Sequence, residues 1–74
     1  MITIKLSTQT ETHVVETTEV HSKYVRKGTE LRTDTEVYLI SKHTDDPLVD
    51  NTYEWAEVIN DQGVVVFEIN GYDK

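Results

Sequence analysis

A chain of 74 residues without a cysteine cannot be a disulfide scaffold and offers no thiolate chemistry. Its net charge of −7 argues against direct binding to nucleic acid or to an anionic membrane, because both present negative charge. That length is expected to form one small β domain spanning residues 1–74.

Met1-Ile2-Thr3-Ile4-Lys5-Leu6 is too short and too polar for a signal peptide or a membrane span, so a cytoplasmic protein is expected. In this stretch Ile2, Ile4 and Leu6 alternate with Thr3 and Lys5, the pattern of a half-buried strand. The Thr-rich segment from Ser7 to Thr12 reads as a loop or as a continuation of that strand. From His13 to Val20 a second extended run follows. The abundance of threonine and valine favours strands throughout, since β-branched side chains lose rotamer freedom in helices. Lys27-Gly28 marks a turn. Glu36 to Ser41 reads as a strand with Val37 and Leu39 on one face and Tyr38 and Ile40 on the other, which suggests a central position.

Pro47 keeps the polar connection from Lys42 to Asn51 at an edge or in a loop. The strongest local signal comes next. Two β-prone runs flank Asn60-Asp61-Gln62-Gly63, and Gly63 suits the left-handed position of a three-residue hairpin loop. That register pairs Ile59 with Val65 and Trp55 with Ile69. It gathers Tyr53, Trp55, Ile59, Val65, Phe67 and Ile69 on the core face and sets Glu57 opposite Phe67. Truncating Trp55 to alanine is then expected to cost about 3–5 kcal/mol. The order of these signals predicts an all-β fold, either a small antiparallel barrel or a strongly curled sheet of five to six strands.

Charge is unevenly placed. Six acids and six bases cancel between Met1 and Thr44. From Asp45 to Lys74 eight acids face Lys74 alone, so this part carries the whole net charge. Such asymmetry steers a basic surface toward the second half.

Arg26-Lys27-Gly28-Thr29-Glu30-Leu31, followed by Trp55-Ala56-Glu57-Val58 and the Asp61-Gln62-Gly63 turn, resembles the order of signals in SH3-like and bacterial SH3-type barrels. That resemblance implies a barrel. More narrowly, Val37-Tyr38-Leu39-Ile40-Ser41 and the run from Tyr53 to Gly63 are similar to the last strands of phage uracil-DNA glycosylase inhibitors. This second resemblance implies an acidic protein that imitates DNA, although the amphipathic helix of that family has no counterpart here.

Catalytic signatures are missing: the sequence has no nucleophile elbow, phosphate-binding glycine loop or zincin pair. Glu11, His13 and Glu16 suggest metal ligands on a strand, but nothing supplies a full coordination shell. The spacing of Asp45, Asp46 and Asp50 is not that of a calcium loop. No cofactor, metal site or enzymatic activity is expected. The expected function is that of an acidic interaction protein docking on a basic protein surface, such as the nucleic-acid site of another protein. Its contacts would be Asp45, Asp46, Asp50, Glu54 and Asp61, with Tyr53, Leu48 and Val49 as apolar anchors. The alternative is an SH3-like adaptor that binds peptides, through an aromatic groove of Tyr24, Tyr38 and Tyr72, or self-associates. Either reading is compatible with a monomer or a homodimer.

Overall fold

The computed structural model describes residues 1–26, 28–41 and 52–71. Within them the fold is all-β, with eight strands: β1 (Ile2–Ser7), β2 (Thr12–Thr17), β3 (Val20–Val25), β4 (Gly28–Thr33), β5 (Val37–Ile40), β6 (Thr52–Tyr53), β7 (Trp55–Ile59) and β8 (Val65–Asn70). They form two four-stranded sheets, ordered β2-β1-β7-β8 and β3-β4-β5-β6. The expected single sheet of five to six strands is thus replaced by two smaller ones. Among the described residues no ladder joins the two sheets into a closed barrel. One pairing is also not antiparallel, for β5 and β6 run parallel.

Both sheets contribute to one core. Ile4, Leu6, Ala56 and Val58 come from the first sheet, and Leu31, Tyr38 and Ile40 from the second. Alternation explains the set: Ile4 and Leu6 share a face of β1, and their register partners on β7 are Val58 and Ala56. Each fully buried Leu or Ile contributes roughly 1.5–3 kcal/mol through its apolar surface. Tyr38 and Ile40 bury the other sheet's face, and β5 is central, flanked by β4 and β6.

Two hairpins are closed by the same four-residue device. Thr8-Gln9-Thr10-Glu11 links β1 to β2, and Thr33-Asp34-Thr35-Glu36 links β4 to β5. In each, the first threonine's N–H donates to the glutamate carbonyl at 2.8 Å. Its hydroxyl oxygen accepts the N–H of the glutamate, at 3.1 Å for Glu11 and 2.9 Å for Glu36. The same oxygen accepts the second threonine's N–H, at 3.3 Å for Thr10 and 3.2 Å for Thr35. A hydroxyl one carbon from the backbone can satisfy local amides in this way, so threonine ends these strands without glycine. The second turn also braces the passage between sheets: Thr17 Oγ1 donates to Asp34 at 3.0 Å and Thr18 Oγ1 at 3.3 Å.

Gly28 opens β4 where the chain has no room for a side chain. A Cβ there would run into the carbonyl oxygen of Ile40 and lie 3.2 Å from Ser41 Cβ. Glycine is required by this close approach of two backbones.

The chain changes sheets a second time at Glu54. Tyr53 still belongs to the β5 side, since the Ser41 N–H donates to its carbonyl at 2.8 Å. One residue later, the Glu54 N–H donates to the Ser7 carbonyl at 2.8 Å. A single extended segment therefore serves both sheets.

The β7–β8 hairpin holds the main correction. Its loop is the expected one: the Gly63 N–H donates to the Asn60 carbonyl at 3.1 Å, and Gly63 has φ of 80°. Asn60 Oδ1 also accepts the N–H groups of Gln62 and Val64, at 2.9 and 3.0 Å. Ile59 pairs with Val65, but Val58 then pairs with Phe67, so Val66 is an extra residue in β8. Below this bulge Glu57 faces Glu68 and Trp55 faces Asn70. Of the expected core face, Tyr53 and Ile69 do pack against the core, but the rest is overturned. Ala56 and Val58 point inward, whereas Trp55, Val65 and Phe67 are exposed. Physically, the bulge sets Phe67 and Ile69 on the same face as Val58 and Ala56 and sends Glu68 outward with Glu57, so no carboxylate is turned toward the core.

Candidate interaction site

The exposed face of the β7–β8 ladder gathers a set of groups that sequence reasoning did not assemble. Trp55, Glu57 and Ile59 alternate with the buried Ala56 and Val58, so they share the outer face of the sheet. Across the ladder, Glu68 is the register partner of Glu57, and Asn70 that of Trp55. A recess of about 310 Å³ lies among Trp55, Glu57, Glu68 and Asn70. Trp55 retains 39% exposure, unusual for the sole tryptophan of a small protein.

Two carboxylates directly opposite each other in a sheet repel, and the pair is destabilising unless a cation intervenes. Lys5 flanks Glu57 from β1. Arg32 and Glu30 form an ion pair at 3.0 Å elsewhere, and His13–Glu11 at 3.5 Å and His21–Glu19 at 3.9 Å would become ion pairs on protonation of the imidazoles. The chemistry of the recess is thus that of a cation receptor with an indole edge, since an aromatic face and a carboxylate both attract ammonium or guanidinium groups.

Of the residues expected at a contact surface, the structure describes Tyr53, Glu54 and Asp61. Asp45, Asp46, Leu48, Val49 and Asp50 lie outside the described residues, as do His43 and Tyr72. Asp61 is exposed at the tip of the β7–β8 hairpin. Glu54 is not on the surface: it is 4% exposed at the crossing between sheets, which removes it from any contact patch. Tyr53 is half-buried, with its ring centroid 6.1 Å from that of Tyr38 and 5.7 Å from that of His13. Burial raises the Tyr53 phenol above its usual pKa of 10.0, with a further rise from the Glu11 carboxylate. Tyr38 is raised for the same first reason, then by Glu36 and by Tyr53. An aromatic groove of Tyr24, Tyr38 and Tyr72 has no support from the described residues, because Tyr38 is buried while Tyr24 is 89% exposed.

The strand ligands suggested by Glu11, His13 and Glu16 do not converge. Glu11 and His13 meet, but Glu16 stands three residues from His13 and so on the opposite face of β2. Among the described residues no three His, Asp or Glu side chains are grouped to hold a metal ion.

The missed signal was the Val64-Val65-Val66-Phe67 run itself. Four consecutive apolar residues cannot all face one core across a two-residue period, which invites a bulge. In comparisons with known proteins, no family model, no curated protein and no solved structure matched the chain. The likenesses to SH3-type barrels and to phage inhibitors therefore stand on the quoted segments alone.

Proposed function

We propose that this protein is a non-enzymatic interaction module that binds a basic surface of another protein through the outer face of β7 and β8. One observation carries the reading: Glu57 stands opposite Glu68 beside an exposed Trp55. A lysine or arginine from a partner would relieve the carboxylate repulsion and stack on the indole. The uneven charge of the chain adds long-range attraction, because the excess acids all lie after Thr44. Basic protein surfaces are concentrated where proteins hold nucleic acid, so a DNA- or RNA-binding protein is the partner class to try first. Asp61 at the exposed hairpin tip adds to the same field.

The single tryptophan reports on its own site. Titration with a lysine- and arginine-rich peptide should change Trp55 fluorescence at low salt. The change should fade at moderate salt, where exposed charges screen over roughly 8–10 Å. Glu57→Gln with Glu68→Gln should weaken peptide binding at least about tenfold, which corresponds to about 1.4 kcal/mol. Unaltered affinity in that double variant would refute the site. With a DNA-binding protein as partner, duplex DNA should compete.

A further inference from the structure

The two sheets do not join between β3 and β8. Each of these strands ends its sheet, with β4 as the one neighbour of β3 and β7 as that of β8 among the described strands. Between them lies a groove of about 580 Å³, with Ser22, Lys23 and Tyr24 on one bank and Phe67, Glu68 and Ile69 on the other. That volume falls within the roughly 300–1,000 Å³ of ligand sites. Register shows what the groove lacks. Across the second sheet the row of Tyr24 continues with Thr29 and Ile40, both buried. Across the first sheet the row of Phe67 continues with Val58 and Ile4, also buried. Tyr24 and Phe67 therefore hold core-side positions, yet they are 89% and 37% exposed. Two rows of the core lose their cover at the same seam.

Two sheet edges that border one groove can take an added strand, which pairs through its backbone and turns alternate side chains to opposite faces. The banks also select its charge. On the β3 side, Lys23 stands across from Glu30, a carboxylate that holds Arg32 at 3.0 Å as well. On the β8 side, Glu68 stands across from Glu57, and like charges so placed repel. The recess beside Trp55 adjoins the groove, since Glu68, Ile69 and Asn70 line both.

We infer that the seam between β3 and β8 binds an extended segment of a partner protein in which apolar residues alternate with lysine or arginine. Its apolar side chains turn inward and cover Tyr24 and Phe67. Its basic side chains turn outward and reach Glu68 and Glu57. A second copy of this chain is the poorer occupant, because it brings a further net charge of −7 to those carboxylates. The inference rests on the proposed function for the charge of the segment and adds its conformation: the basic partner docks as a strand.

A short peptide of alternating valine and lysine tests it, beside the same peptide N-methylated at every second residue so that one backbone edge cannot pair. The unmodified peptide should bind at least about tenfold more tightly. On binding it should slow hydrogen exchange in both β3 and β8. Tyr24→Ala, at an exposed side chain, should weaken that peptide at least about tenfold. It should leave circular dichroism and the Trp55 fluorescence response to oligolysine unchanged. No binding, equal affinity for the two peptides, protection confined to one of the two strands, or full affinity in Tyr24→Ala would each overturn the inference. So would slowed exchange on both strands in a self-associated sample without peptide, which would put a second copy in the seam. Glu57→Gln with Glu68→Gln separates the two ideas. If oligolysine binding survives that change, the outer-face site fails, while the N-methyl comparison and the protection of β3 decide the seam.

Discussion

β1 and β8 both border on the apolar side chains of β7, and both are rich in aliphatic residues, yet they live in opposite surroundings. β1 pairs on both sides, with β2 and β7, and its Ile4 and Leu6 are wholly buried. β8 pairs on one side, and only its Ile69 among the apolar residues reaches half-burial. Their sequences explain the contrast. β1 alternates strictly, so one face can be sealed and the other wetted. The run in β8 is apolar at every position, so no register buries it all. Hydrophobicity alone does not decide position in a sheet; periodicity and the number of neighbours do.

That contrast predicts where mutations hurt. Leu6→Ala should cost about 2–5 kcal/mol, because the cavity lies between two sheets that cannot collapse onto it. For so small a domain this is enough to unfold it, and urea denaturation should show the loss. Equal stability in the Leu6→Ala variant would mean that β1 is not the sealed strand described.

Tyr38 is buried and Tyr53 half-buried, and their titration gives a further test. Both phenols are raised in the folded chain, chiefly by burial. In the unfolded chain tyrosine ionises near about 10. Above that pH the unfolded state holds fewer protons than the folded one, so stability falls as pH rises. The contribution is fully present below the unfolded pKa and lost as pH climbs through the folded value. Thermal melts at alkaline pH should show this slope. Tyr38→Phe and Tyr53→Phe should each flatten it.

The smallest stability effect is expected at Trp55. With 39% of its surface exposed, Trp55→Ala should cost about 1 kcal/mol or less and leave a folded protein. Its effect should appear in peptide binding instead. A loss of several kcal/mol would restore Trp55 to the core and sink the site on the outer face.

Strand periodicity, the central place of β5 and the Asn60–Gly63 loop could be read from local sequence because each is a local preference, whereas Lys27 of the expected Lys27-Gly28 turn lies outside the described residues. What escaped is decided at longer range. The pairing of β7 with β1 turns Ala56 and Val58 inward, and the bulge at Val66 then turns Ile69 inward and Glu68 outward, which no window around the hairpin contains. The parallel β5–β6 pair and the crossing at Glu54 depend on where a connection returns. The repeated Thr-x-Thr-Glu turns were visible as letters, but their hydrogen bonds become evident only with the strands in place. Glu57 and Glu68 could not be matched until the bulge set their register. The same shift that spoiled the expected core created the candidate site.

The pairing of β1 with β7 has a consequence for how the chain is made. Thr3 lies across from Ile59, 56 residues further along the chain. During synthesis the first hairpin can form early, but one flank of β1 must wait until β7 has been made. Such distant pairing slows folding relative to proteins built from neighbouring contacts. Until β7 arrives, Ile4 and Leu6 are open to any passing chain or chaperone, and the birth of this protein is its most vulnerable moment.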